Sequence, residues 1–444
     1  MSSPSPLHPQ RQEAGQLAAQ SPLIAHTLPN KVRVLLLPSR KFRRRSIMVT
    51  CRMKMGEATA RQALVPAVLV RGSSRVPKTR ELRALLDGLY GASLTGGASK
   101  LGNAHLLHLR LGCVSDRVLP EPIWEQALGL WSEVLREPLI DGDGFHAGYL
   151  EEERRSISNE LQGIFNNKTE YAQIRMLEAM FQGDPYCQTA YGTIEQLEAT
   201  SPKQVAFAYR ELMAQAPITV AASGDMDPDE MIRQIERLFG DLPMRAEDPY
   251  QPPLLPKREE VRSVDEEQPV DQGKLVMGYR LGRHAGDRDR LAARVASAVL
   301  GRYPHSLLFR HVREEASLAY YAASQLDLFK GLLTVHSGID PKKRRPAQEI
   351  IEQQVAAIRE GGFSDEELEM TKRALLNELM AQTDRPEAVL GQAYDLDLLG
   401  EPYRPEEEQA ALNAIGREDV QHAFADIALD TVYFLSRREE GERS

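Results

Sequence analysis

The sequence predicts an α+β fold made of two αβ halves. Apolar or alternating strand-like segments are interspersed with amphipathic helical segments, and their order in the first half returns in outline in the second. Between the halves the composition changes to Pro, Glu, Asp and Arg, which is typical of an extended linker. We therefore expect an unstructured tail at 1–24, a first domain at 25–243, a linker at 244–272 and a second domain at 273–444.

Length and composition bound the class of protein. The 444 residues are enough for two or three domains. A net charge of -9 argues against a general nucleic-acid or anionic-membrane surface. Cys51, Cys113 and Cys187 are few, odd in number and far apart, so no disulfide framework is indicated and a reducing cytoplasm is expected. The first two dozen residues contain no long apolar core, so they resemble neither a secretory signal nor a membrane anchor.

The elements of the first half follow from periodicity and turn residues. Strands are predicted at 28–38 and 46–56, an apolar helix at 61–73, further helices at 78–90, at 121–135 and around 151–161, and a strand of small residues at 91–99. A buried strand then ends at Gly224, where the run Gly-Asp-Met-Asp-Pro begins. Asp227 is predicted to cap a helix that starts at Pro228 and closes at Gly240.

The sequence of the second half predicts the same kinds of element. We expect strands at 274–279, 318–321, 331–337 and 431–435, and helices at 288–300, 306–315, 345–360 and 365–381.

The histidines offer no clear metal site. His105 and His108 are the only close pair, and the alternation of residues 106–111 places them on a strand, where positions three apart point to opposite faces. His305 and His311 are too far apart to share a helix face well. No chelating pair of imidazoles is therefore expected.

Two runs carry a resemblance to a known family. Residues 219–243 contain a strand, Gly-Asp and a helix ending in Phe-Gly-Asp-Leu-Pro, and residues 313–320 read Arg-Glu-Glu-Ala-Ser-Leu-Ala-Tyr. Together they resemble the pitrilysin and mitochondrial-processing-peptidase type of M16 (insulinase-type) zinc peptidases, over about residues 26–436. The likeness is closest to bacterial, metal-free members. It implies two homologous αβ domains that form half of a clamshell around an unfolded peptide.

The resemblance also identifies a loss. The family carries H-x-x-E-H on a helix just before a Leu-aromatic-basic-Gly-Thr/Ser turn, and here that turn is Leu-Val-Arg-Gly-Ser at 69–73. Counting back places Ala63 and Ala67 at the two zinc ligands and Pro66 at the catalytic glutamate. Methyl groups and a pyrrolidine ring can neither bind zinc nor accept a proton from a metal-bound water.

Glu153 and Glu160 match the family's downstream helix, in which a third zinc ligand follows another glutamate by seven positions. Such spacing places both on one helix face, two turns apart. Two interpretations stay open: a leftover ligand without its partners, or a solvated glutamate on a charged helix.

Arg313 and Tyr320 match an Arg and a Tyr that assist binding of the substrate backbone in the family. An Arg can donate several hydrogen bonds to peptide carbonyls, and a Tyr can donate one to an oxyanion. The alternative is structural, with Arg313 paired to Glu314 or Glu315 and Tyr320 filling core space.

The resemblance therefore implies a noncatalytic subunit with no cofactor of its own. Its expected partners are a zinc-bearing sister subunit with an intact H-x-x-E-H and an extended peptide, with neither nucleic acid nor membrane. A homodimeric peptide-binding or scaffolding protein is an alternative from a different class. A third alternative is a metallopeptidase with a rearranged metal site around Glu153 and Glu160.

Overall fold

The computed structural model of the chain describes residues 23–245 and 260–437. Most of the predicted tail lies outside these residues, and the first strand begins at Ile24. The strands of the first half are β1 (Ile24–Thr27), β2 (Arg33–Pro38), β3 (Arg44–Lys54), β4 (Ser93–Leu101), β5 (Ala104–Val114), β6 (Ile140–Asp141), β7 (Gly144–Phe145) and β8 (Ile218–Gly224). Its helices are α1 (Thr59–Leu69), α2 (Thr79–Gly88), α3 (Trp124–Arg136), α4 (Ala147–Asn166), α5 (Lys168–Met180), α6 (Ile194–Ala199), α7 (Pro202–Gln215) and α8 (Pro228–Phe239).

The second half has a shorter set of elements. Its strands are β9 (Arg262–Glu267), β10 (Gly273–Arg280), β11 (Ala319–Asp327), β12 (Leu332–Ile339) and β13 (Ala428–Ser436). Its helices are α9 (Arg290–Gly301), α10 (Arg344–Glu360), α11 (Asp365–Gln382), α12 (Pro386–Leu398), α13 (Pro405–Ala414) and α14 (Arg417–Ala423), and a π-helical turn at Phe309–Glu315 precedes β11. Each predicted strand and helix is found with shifted ends, and Asp227 caps α8 as expected, accepting from the Glu230 amide at 2.8 Å.

The two large sheets have matching topology. The first has the order β1-β2-β8-β3-β5-β4 and the second, read from its last strand, β9-β13-β10-β12-β11. In each, one parallel pair (β2 with β8, β9 with β13) is followed by antiparallel pairs up to an end strand, β4 or β11. Equal order and direction of five strands agree with the internal repeat predicted from the sequence.

This topology corrects the predicted linker. Residues 262–267, inside the segment 244–272, form β9 and pair in parallel with β13. Because β9 corresponds to β2 of the first sheet, it is the first strand of the second half. Its alternating pattern of half-buried and exposed residues is that of an edge strand, and the many charged residues in it had suggested a linker.

Each sheet packs its own helices against one face. The core of the first half includes Val34 and Leu36 of β2 with apolar residues of α1, α3, α7 and α8, and the core of the second includes Leu275 and Met277 of β10 with α9, α10 and α11. Within the described parts of the chain, no helix is both long and apolar enough to cross a bilayer.

The opposite face of each sheet is covered by a helix from the other half. Met176 and Met180 of α5 pack on the second sheet, so closely that a Cβ added at Gly278 of β10 would lie 2.7 Å from the sulfur of Met176. Reciprocally, Val389 and Tyr394 of α12 pack with apolar residues of β2, β5 and β8 on the first sheet. The two halves thus exchange helices, and neither sheet is complete without the other half.

Ion pairs reinforce the exchange. Arg33 of β2 donates from Nε to both carboxylate oxygens of Asp397 on α12, at 2.9 and 3.0 Å. Lys330, between β11 and β12, is fully buried against the first half, where its Nζ lies 2.6 Å from Asp184 Oδ2 and 2.7 Å from Asn103 Oδ1. Burial lowers the pKa of Lys330, and the Asp184 carboxylate opposes this shift.

Replacing Lys330 by Met should lower the free energy of unfolding by about 3 kcal/mol, because the Asp184 carboxylate then lacks its buried partner. Denaturant unfolding measures the loss. Lys342→Met, at an exposed lysine of the same half, is the matched control and should change stability by less than about 0.5 kcal/mol. Adding Asp184→Asn to Lys330→Met should recover part of the loss, and no recovery would contradict the assignment to this pair.

Glu266 of β9 connects α5 to the second sheet. Its carboxylate accepts hydrogen bonds from the hydroxyl groups of Tyr171 and Tyr433, at 2.5 and 2.8 Å, and from Nε of Arg175 at 3.0 Å. Burial alone would raise the pKa of Glu266, but these hydrogen bonds lower it to about 2.

Replacing Glu266 by Gln should lower the free energy of unfolding at pH 7 by about 1 to 3 kcal/mol, because charge-assisted hydrogen bonds are lost. The folded-state pKa lies below the ordinary 4.5, so the contribution is complete above pH 4.5 and disappears as the pH falls towards 2. Unfolding curves at pH 7 and about pH 3 measure this. Glu260→Gln, at an exposed carboxylate before β9, is the control, and a difference that does not shrink in acid would contradict the explanation.

Candidate functional site

The helix α1 holds the positions of the lost metal motif. Ala63 is fully buried, Ala67 is 7% exposed and Pro66 is buried between them. Their side chains contain no nitrogen, oxygen or sulfur donor, so these residues do not fit a zinc ion. An apolar helix buried on every side is a core element, and that is the role of α1 here.

The end strand β4 lies unusually close to this helix. A Cβ added at Gly96 of β4 would stand 2.0 Å from the backbone oxygen of Pro66. Only glycine permits this approach. The predicted strand of small residues is therefore confirmed, and its composition is explained by the contact with α1.

The two close histidines point to opposite faces of β5, as predicted. His105 is buried, with Nδ1 3.0 Å from Oε1 of Gln62 on α1 and Nε2 2.8 Å from the Ala190 carbonyl. His108 instead lies near the hydroxyl groups of Thr50 and Ser99, at 3.1 and 2.8 Å. Burial lowers the pKa of both histidines to about 4, so both are neutral at pH 7.

Glu153 and Glu160 lie on α4 and differ in environment. Glu153 is half-buried and its Oε1 lies 2.8 Å from Nε of Arg71, the basic residue of the turn after α1, which also pairs with Glu152. Burial raises the pKa of Glu153, and the Arg71 guanidinium opposes this. Glu160 is exposed. Across residues 23–245 and 260–437, no group of three or more His, Cys, Asp or Glu side chains could hold a metal ion.

Tyr191 is a residue that sequence reasoning missed. Its hydroxyl lies 3.9 Å from where a Cβ at Gly97 of β4 would be, and it interacts with the backbone of Ala98. Burial and the carboxylates of Glu160 and Glu153 raise the pKa of Tyr191. Tyr191 therefore lies beside β4 and is influenced by the two carboxylates of α4. No sequence signal marks it, because it belongs to an irregular loop.

The same loop meets the C-terminal end of β4. Lys100 of β4 donates from Nζ to the carbonyl oxygens of Tyr186 and Gln188, at 2.7 and 3.0 Å. The strand β4 is the end strand of its sheet. Around residues 98–100 it is therefore contacted by this loop, through Lys100 and Tyr191.

Arg313 and Tyr320 are both exposed at the start of the second sheet's end strand. Arg313 lies in the π-helical turn, with its guanidinium carbon 4.7 Å from the centre of the Phe309 ring. Tyr320 is 64% exposed and lies where the pairing register of β11 shifts. Three residues before it, Ser317 has a positive φ of +50°. Tyr320 therefore does not fill core space.

Among the described residues, neither carboxylate beside Arg313 pairs with it. Glu315 pairs with His311 at 2.7 Å and lies 3.8 Å from Arg310, and no ion pair joins Arg313 to Glu314 or Glu315 in the described structure. The alternative prediction, in which Arg313 pairs with Glu314 or Glu315 and Tyr320 fills core space, is therefore wrong. Their action on a substrate stays a prediction.

Comparison with known proteins agrees with this arrangement. A family model described as "Peptidase M16 inactive domain" matches residues 201–375. The "Probable inactive metalloprotease YmfF" of Bacillus subtilis (strain 168) is 32% identical over 389 residues, which are 86% of this chain and 90% of that protein.

Solved structures show the same fold. A conserved protein from Enterococcus faecalis V583 superposes with a TM-score of 0.88 and 26% identity, over 95% of this chain and 100% of that one. A peptidase M16 inactive domain from Pseudomonas fluorescens superposes with a TM-score of 0.77 and 17% identity, over 95% and 99%. The resemblance inferred from residues 219–243 and 313–320 is confirmed, and the chain belongs to the peptidase M16 family as an inactive homologue.

Proposed function

We propose that this chain is the noncatalytic subunit of an M16-type peptidase and forms a peptide-binding chamber with a sister subunit that carries H-x-x-E-H and zinc. One contrast carries the proposal. Ala63, Pro66 and Ala67 supply no donor to a metal, whereas Arg313 and Tyr320 are exposed beside an end strand with their polar groups available.

The chemistry of Arg313 and Tyr320 suits an extended peptide. A guanidinium has five N–H donors and a phenol has one O–H donor, and both match the carbonyl oxygens of a peptide backbone. Arg and Tyr are also the residue types that contribute most often to binding energy at interfaces. Because Arg313 has no carboxylate partner within the described residues, binding a peptide would not require breaking an ion pair.

End strands provide the second element of the proposal. An extended peptide can add to the free edge of a sheet through main-chain hydrogen bonds. The end strand is β4 in the first sheet and β11 in the second. The loop contacts at residues 98–100 of β4 leave β11, which carries Tyr320, as the edge that we propose for this chain.

In this proposal the sister's zinc supplies hydrolysis, and the residues of this chain bind and orient the substrate. Binding energy from contacts away from the scissile bond can align that bond and so raise kcat of the complex. The cysteines Cys51, Cys113 and Cys187 are free, and we propose a cytoplasmic location on that ground.

Replacing Arg313 by Ala should lower kcat/KM of the assembled peptidase by about tenfold to a hundredfold, because donors to the substrate backbone are lost. Tyr320→Phe, which keeps the ring and removes the hydroxyl, should also lower it. Peptide cleavage by sister and chain mixed in equal amounts measures both effects. Arg345→Ala, at a guanidinium that is 90% exposed and paired with Glu349, is the control and should leave the rate unchanged. A sister whose turnover does not respond to this chain would refute the pairing.

The isolated chain is expected to contain no stoichiometric zinc and to cleave no peptide, since the residues of α1 cannot hold the metal. Metal analysis after purification without chelators and a peptide-cleavage assay measure this. Stoichiometric zinc, with cleavage that disappears in Glu160→Gln, would overturn the proposal. A stable self-dimer that binds peptides but activates no sister would favour a homodimeric peptide-binding protein instead.

A further inference from the structure

A second polar site lies at the junction of the two halves, away from α1. An open cavity of about 590 Å³ is bounded by the start of α5, by residues 269–272 before β10 and by the residue that follows β13. The polar side chains that line it include those of Asn166, Asn167, Lys168, Thr169, Lys274 and Arg437.

Three cationic side chains line the cavity and have no carboxylate partner among the described residues. Lys168 donates from Nζ to Gln268 Oε1 at 2.6 Å, and Lys274 Nζ lies 3.5 Å from Gln272 Oε1, so both ammonium groups have neutral partners. Neither lysine, nor Arg437, forms an ion pair with a carboxylate of the residues placed in the structure. Asp271 is the only acidic residue among those lining the cavity. In a chain of net charge -9, these three cations without a carboxylate partner among the described residues make the cavity locally positive.

Lys274 differs from the other two cations because burial disfavours its charged form. Its side chain is half-buried and lies over the Tyr321 ring, with Nζ 5.4 Å from the ring centre. Burial lowers the pKa of Lys274, and no carboxylate of the described residues opposes that shift. An anion in the cavity would therefore stabilise the charged form of this lysine.

The cavity borders the strand proposed to bind peptide. Tyr321 directly follows Tyr320 on β11, and its hydroxyl lies 3.3 Å from Oγ1 of Thr169, which lines the cavity. Lys274 and the start of β11 also lie at the same end of the second sheet, since Lys274 pairs with Gly338 and Gly338 with Tyr321.

We propose that this cavity binds the terminal carboxylate of the peptide that Arg313 and Tyr320 hold, with Lys168, Lys274 and Arg437 as donors. This inference rests on the proposed function. A carboxylate accepts several charge-assisted hydrogen bonds, and ammonium and guanidinium groups are the donors that form the strongest of them. Binding of its C-terminal carboxylate would limit how far the peptide can shift along β11.

The test compares two forms of one fluorescently labelled, unstructured peptide without acidic side chains, one with a free C-terminal carboxylate and one with a C-terminal amide. Binding to the full chain is measured by fluorescence anisotropy at low ionic strength, where charge interactions are least screened. The free acid should bind about tenfold more tightly than the amide. This preference should disappear in Lys274→Gln and remain in the control Lys342→Gln, which removes an exposed charge elsewhere in the same half.

A second readout does not depend on substitutions. The free-acid peptide should protect Lys168 and Lys274 from acylation, followed by mass spectrometry, and leave Lys342 reactive. Equal binding of acid and amide, or a preference that persists in Lys274→Gln, overturns this inference and leaves the proposed function standing. Failure of both peptides to bind overturns the two together.

Discussion

The reciprocal exchange of helices is the constraint on which the rest of the structure depends. Each sheet has two apolar faces and covers one with its own helices, so the other would be exposed to water without α5 or α12 from the opposite half. Burying such faces is the dominant favourable contribution to folding. Lys330 and Arg33 add directional ion pairs across the same boundary. The relative position of the end strands β4 and β11 is set by this exchange, and so is the junction where α5 meets β10.

The residues that match the family's motifs have different environments in the two halves. In the first half, α1 is a core helix, Arg71 neutralises Glu153, and Tyr191 lies beside β4, so the region around the former metal motif is filled by packing and by an internal ion pair. In the second half, Arg313 and Tyr320 stay exposed beside β11.

Much of this could be predicted from the sequence, and the exceptions at the junction of the two halves have a common cause. Periodicity and caps located α1, α8 and most strands of both sheets, because these depend on neighbours along the chain. The strand β9 lies in the segment predicted as linker, and no prediction was made for the short strands β1, β6 and β7 or for the helices α5, α6, α7, α12, α13 and α14. At the junction of the two halves, β9, α5 and α12 make most of their contacts with residues far away in sequence. Tyr191 and the cationic cavity were missed because loops and junctions carry no periodic pattern.

By itself, the sequence determined the fold family and the loss of the metal-binding residues. Both follow from residue identity, since Ala63, Pro66 and Ala67 lack a donor atom in any conformation. Only the tertiary structure decided that Arg313 and Tyr320 are exposed, that Glu153 is paired with Arg71, and that Lys168, Lys274 and Arg437 face one cavity. Exposure and charge pairing depend on what packs beside a side chain. Here the packing is set by a helix exchange between segments that are far apart in the sequence.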